Sequence, residues 1–127
     1  ANKKIEEADY SGAITNSRTL IEQVLKELNR KLNLEIEWKG NLPKLYKEVS
    51  NAMNMKVGND SLDSIKKIIS GFVTTVDGIS TLRNEASDSH GREINPERHH
   101  AKLAVNSSLT ICDFILDSHE YQTKKNL

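Results

Sequence analysis

The densest set of groups able to do chemistry lies in ten residues, Leu82-Arg83-Asn84-Glu85-Ala86-Ser87-Asp88-Ser89-His90-Gly91. Arg83 and His90 stand seven positions apart. On a continuous helix they would fall within about 20° of each other, two turns apart along one stripe. A guanidinium grips a phosphate through two parallel hydrogen bonds, and a neutral imidazole takes a proton near pH 7. The pair suits phosphodiester chemistry. The same residues also have a purely structural reading: helix ends often carry Arg or His to satisfy terminal carbonyls, and Asp88 near Arg83 would then be a salt bridge.

Two further stretches offer polar groups. Thr15-Asn16-Ser17-Arg18 brings unusual hydrogen-bonding capacity to one helical turn. It is either a solvated face or a place where Arg18 makes a second phosphate contact. Arg98-His99-His100 opens the last expected helix, where free backbone N–H groups and the helix dipole favour a phosphate. The plainer alternative for Arg98 is a surface pair with Glu97 or Glu93, worth little.

Other chemistries find no support. His99 and His100 are about 100° apart on a helix rather than four residues apart, and the single cysteine supplies no partner set, so neither a metal nor a cofactor is expected. No Gly-x-Ser-x-Gly turn, phosphate-binding glycine loop or dinucleotide fingerprint occurs. Trp38 is a candidate for stacking on a base, but its distance in sequence from the Arg/His block favours packing.

These groups must be positioned by helices. Asp9 caps a first helix running to about Leu32, with Ile14, Ile21, Val24, Leu25, Leu28 and Leu32 at three- and four-residue spacing. Residues 1–8 either extend it or hang loose. Leu34-Glu35-Ile36-Glu37-Trp38 alternates, but a lone five-residue strand has no partner, so an irregular connector is expected, with Trp38 tucked against the bundle. Asn41 caps a second helix with Pro43 in its first turn and Leu45, Val49, Ala52 and Met53 inward.

Asp60 or Ser61 starts a third helix on Ile65, Ile68, Ile69, Phe72, Val76, Ile79 and Leu82. Within it Gly71 and Gly78 each cost about 1 kcal/mol of helix propensity. Close approach of another helix, from this or a second subunit, would compensate. Asn95-Pro96 signals a fourth helix carrying Ala101, Leu103, Ala104, Val105, Leu109, Cys112, Ile115 and Leu116, before a tail over 121–127 that frays. The expected fold is all-α: an antiparallel four-helix bundle with an irregular connector after the first helix.

A chain of 127 residues is sized for one domain. Lys+Arg 18 against Asp+Glu 18 leaves no net charge, so any nucleic-acid site must be a local patch. The single Cys112 cannot form an internal disulfide and sits among apolar neighbours; a cytoplasmic home is the default. No membrane-spanning or signal segment is expected. The chain begins without Met, which fits a domain excised from a longer protein.

The order Arg83, Asn84, then His90 after six residues resembles the signature of the HEPN superfamily of helical-bundle ribonucleases and nucleotide-binding domains. Three ordered blocks extend the likeness: Ala13 to Leu20; Leu82-Arg83-Asn84 with Asp88-Ser89-His90-Gly91; and Arg98 to Asn106. Together they resemble the abortive-infection C-terminal domain, a module that usually closes a longer phage-defence protein, so an N-terminal sensor domain is an expected neighbour. The resemblance implies metal-independent RNA cleavage with no cofactor, by attack of a 2′-hydroxyl on the adjacent phosphate.

In that scheme His90 moves the proton, Arg83 stabilises charge on the phosphorane, Asn84 orients the phosphate or His90, and Asp88 fixes the imidazole tautomer. Arg18, Asn16, Arg98 and His99 would bind RNA around them. One imidazole is poorly placed to be both acid and base, so a homodimer with facing motifs is implied. The alternative within the family is a non-catalytic module that binds RNA or a nucleotide, or dimerises and regulates a partner domain.

Overall fold

The computed structural model describes residues 2–53, 62–87 and 95–125. Five helices, α1 (Asn2–Glu6), α2 (Tyr10–Lys31), α3 (Leu42–Ala52), α4 (Asp63–Ser87) and α5 (Arg98–Lys125), make an all-α bundle, with no strand among the described residues. The four long helices are those expected. The short α1 is an addition, because Ala8, at φ 60°, takes the left-handed region and prevents 2–8 from extending α2. At the other end α5 runs to Lys125 rather than fraying at 121.

The caps act as their side chains dictate. Asp9 Oδ1 accepts from the Gly12 N–H at 2.9 Å and its other oxygen lies 3.3 Å from Lys4 Nζ. A Cβ at position 12 would run into that carboxylate, which would have to shift to keep the cap. Asn41 Oδ1 accepts from the Lys44 N–H at 3.1 Å to start α3.

Two apolar clusters hold the helices. The larger joins Ile21, Leu25 and Leu28 of α2, Leu42, Leu45, Tyr46 and Val49 of α3, Val76 and Ile79 of α4, and Ile111, Cys112 and Ile115 of α5. Its interior is dry enough that burial, reinforced by Asp113, pushes the Cys112 thiol up to about 11. The smaller joins Ile5, Ala13, Ile14, Ala101, Ala104 and Val105, with Tyr10 and Leu82 packed against it. Alanines at 13, 101 and 104 let α2 and α5 pack side by side along their length.

The connector is irregular, as expected, and the alternation of its sequence has a purpose. Leu34, Ile36 and Trp38 pack against the larger cluster while Glu35, Glu37 and Lys39 face water. The amide of Asn29 takes the place of a neighbouring strand, donating to the Ile36 carbonyl at 2.9 Å and accepting from its N–H at 3.1 Å.

Several apolar positions expected inside are not covered. Ile65 and Ile68 on α4, and Leu103, Leu109 and Leu116 on α5, are exposed, Ile68 and Leu103 by 63% and 67%. Ala52 is exposed too. Among the described residues no helix approaches Gly71 or Gly78: a Cβ at either would meet nothing within 4 Å. The described residues thus give no intrachain explanation for those glycines, both of which lie on the exposed face of α4.

The two caps should respond differently to acid. Asn41→Ala should cost about 1 kcal/mol at any pH. The Asp9 carboxyl is held below its ordinary value, first by the Gly12 N–H and then by Lys4. Its contribution is therefore in place above the ordinary carboxylate range and is lost as pH falls through the lowered folded value. Thermal melts of Asp9→Ala against wild type should differ at neutral pH and converge in acid.

Candidate phosphate-binding end of the bundle

Leu82 packs into the smaller cluster, and Ala101 belongs to it, so the last turns of α4 and the first turn of α5 are pinned to the same end of the bundle. Arg83 and Asn84 follow Leu82 directly, and Arg98, His99 and His100 directly precede Ala101. The fold thus gathers at one end four of the groups singled out in the sequence: Arg83, Asn84, Arg98 and His99. Asp88 and His90 lie outside the described residues, as does the segment that joins the two helices.

Arg83 is half-buried. Its Nη1 donates to Asn84 Oδ1 at 3.3 Å, a contact between side chains one residue apart that holds the guanidinium plane. Its Nε is buried and has no hydrogen-bond partner among the described residues. A buried donor left unpaired is costly, of the order of 1–3 kcal/mol, and a phosphate oxygen would satisfy it.

At the start of α5, Arg98 and His99 are exposed, and Arg98 makes no ion pair among the described residues. The helix begins at Arg98, three residues after Asn95, and not on the Asn95-Pro96 signal. The reason is His100: its Nδ1 accepts from the Glu97 N–H at 3.0 Å, the reach-back that Glu or Gln supplies in a capping box. His100 is thereby committed to structure, with its ring 4.1 Å from that of His99 and tilted by 45°. The exposed His99 remains available to a ligand.

Asn16 and Arg18, two residues apart on α2, diverge. Arg18 turns to the connector: Nη2 donates to the Gly40 carbonyl at 3.2 Å, Nη1 lies 3.8 Å from Glu22, and the guanidinium sits 5.9 Å from the centre of the Trp38 ring. Lys26 lies over the same ring at 4.9 Å. No hydrogen bond or ion pair among the described residues joins Arg18 to Arg83. Asn16 instead lines a groove between α1, α2 and α5. Sequence reasoning overlooked Gln23 and Asn2, which share that groove; only the helical register of Gln23 with Asn16, seven residues on, hinted at it.

Among the described residues no group of His, Cys, Asp and Glu is placed to hold a metal ion. No described helix is long and apolar enough to cross a membrane.

The described residues form an all-α bundle in which the end of α4 and the start of α5 meet at the smaller cluster. The chain matches the family model described as HEPN-like domain (Abi_C) over residues 1–119, and it belongs to that family, the HEPN-like domains of the abortive-infection C-terminal type. No curated protein and no solved structure gives a significant match.

The His100 cap is directly testable. His100→Ala should cost about 1 kcal/mol in chemical denaturation, and His100→Gln, which keeps an acceptor of similar reach, should recover most of it.

Proposed function

We propose that this domain is a metal-independent endoribonuclease of an anti-phage abortive-infection or toxin system, working as a homodimer. The observation that carries the reading is the half-buried Arg83, whose Nε lacks a partner among the described residues, at the same end of the bundle as the exposed Arg98 and His99. In a chain of zero net charge this is a local concentration of phosphate-binding groups.

Arg83, held by Asn84, grips the non-bridging oxygens of the scissile phosphate and stabilises the added charge as the phosphorane forms. A 2′-hydroxyl attacks its neighbouring phosphorus and the bond to the 5′-oxygen breaks, leaving a 2′,3′-cyclic phosphate and a 5′-hydroxyl. His90 of one subunit takes the proton of the attacking hydroxyl, and its counterpart from the second subunit protonates the leaving oxygen. Asp88 fixes the imidazole tautomer. Arg98 and His99 hold neighbouring phosphates at the helix start.

The dimer is supported by the uncovered face of α4. Gly71 and Gly78 lie on a surface where a Cβ meets nothing among the described residues, beside the exposed Ile68. A second subunit drawing close there would compensate for two residues that weaken the helix. Cytoplasmic action, beside a sensor domain in the same chain or a partner, fits this reading.

Incubated with total RNA, the wild type should cut, and Arg83→Ala and His90→Ala should each lose about 100-fold or more of the activity. EDTA should leave cleavage intact. RNA binding without cleavage in the wild type would instead identify a non-catalytic, RNA-binding member of the family, and loss of activity with EDTA would overturn the mechanism.

The face of α4 has its own test. Gly71→Ala with Gly78→Ala should stabilise the isolated fold by about 1 kcal/mol per site through helix propensity, yet weaken the dimer measured by analytical ultracentrifugation. An unchanged dimer would place the interface elsewhere.

A further inference from the structure

We infer that the groove between α1, α2 and α5 reads a nucleobase, and that it prefers a base carrying an exocyclic amino group. The inference rests on RNA as the ligand but concerns a site apart from Arg83. The groove encloses about 410 Å³, within the range of sites that take a small organic ligand. Asn2 of α1 and Asn16, Thr19 and Gln23 of α2 line it, over apolar surface from Leu20 of α2 and Val105 of α5. Among the described residues no charged side chain lines it. A phosphate would find no counter-charge there, whereas the flat, neutral face of a heterocycle would lie against the leucine and valine.

The hydroxyls of the groove set the polarity of its ligand. Ser17 Oγ donates to the Ala13 carbonyl at 2.9 Å, Thr19 Oγ1 to the Thr15 carbonyl at 3.0 Å, and Ser108 Oγ to the Val105 carbonyl at 2.9 Å. All three hydroxyl protons are thus committed to their own helices; Ser17 and Ser108 are buried, and Thr19 Oγ1, part-exposed in the groove, has only acceptor capacity left for a ligand. Side-chain amides offer a donor and an acceptor in one plane and can pair with two positions along a base edge, as they do with the ring nitrogen and amino group of adenine. A threonine hydroxyl that only accepts, beside such amides, favours a ligand that donates. Adenine and cytosine carry the needed amino group; uracil and hypoxanthine do not.

Asn16 and Gln23 are exposed at the groove's edge, so replacing them leaves the core untouched. The test is titration of the ¹⁵N-labelled chain with adenosine and with inosine, in which a carbonyl acceptor replaces the exocyclic amino group and N1 carries a hydrogen. Adenosine should shift the side-chain amide signals of Asn16 and Gln23, and inosine should bind about tenfold more weakly. The double variant Asn16→Ala, Gln23→Ala should lose about tenfold in adenosine affinity with its melting temperature unchanged.

Inosine binding as well as adenosine, an absence of shifts at these amides, or adenosine affinity unaltered in the double variant would overturn the proposal. Nucleosides contain no phosphodiester, so this failure leaves RNA cleavage untouched. Conversely, adenosine bound by a protein that cuts no RNA would remove the nuclease reading and keep this one.

Discussion

The contact on which the candidate site depends is apolar. Leu82 packs against the cluster formed by Ile5, Ala13, Ile14, Ala101, Ala104 and Val105, and through it the end of α4 is fixed to the start of α5 and to the first turns of α2. Burial of this kind has no direction of its own. What gives it direction is shape: alanines at 13, 101 and 104 set how closely α2 and α5 lie, and the leucine fills the remaining side. Arg83 and Asn84 follow Leu82, while Arg98 and His99 precede Ala101. Polar groups from elements well separated in sequence are thus carried to one place by neighbours that have no chemistry themselves.

The two clusters divide the work. The larger, from Ile21 to Ile115, orders α3, the connector and the far half of α5. Its dryness shows in the raised Cys112 thiol and in Tyr46, whose hydroxyl burial also pushes up. The smaller cluster contains fewer and shorter side chains, and it orders the end that bears the basic groups. A half-buried arginine whose Nε has no partner among the described residues is costly in such a place.

The long helices were legible because their signals agree at several levels. Asp9 and Asn41 cap where they should, and the stripes at Ile21, Leu25, Leu28 and at Val76, Ile79 are buried. Periodicity, however, says which face of a helix is apolar and not how far along its length a neighbour reaches. Hence Ile65, Ile68 and Leu103 were expected inside and lie outside.

The break at Ala8 depends on a backbone angle that alanine rarely adopts, and the start of α5 on a histidine acting as a glutamate would. Neither leaves a composition signal. The likeness of the Arg83 and Arg98 blocks to the family was readable in the sequence, and their convergence at one end of the bundle required the packing. The divergence of Asn16 from Arg18 likewise follows from what the connector offers Arg18, a carbonyl and an indole, and no helical wheel contains that.

The most direct measurement of the central claim is a titration of the ¹⁵N-labelled domain with a single-stranded RNA whose 2′-hydroxyls are methylated, so that it binds without being cut. The account predicts that the side-chain Nε–H of Arg83 and the backbone signals of Arg98 and His99 shift together, saturate at one concentration and weaken as salt rises. Shifts confined to the connector and α3, with Arg83 unmoved, would contradict it.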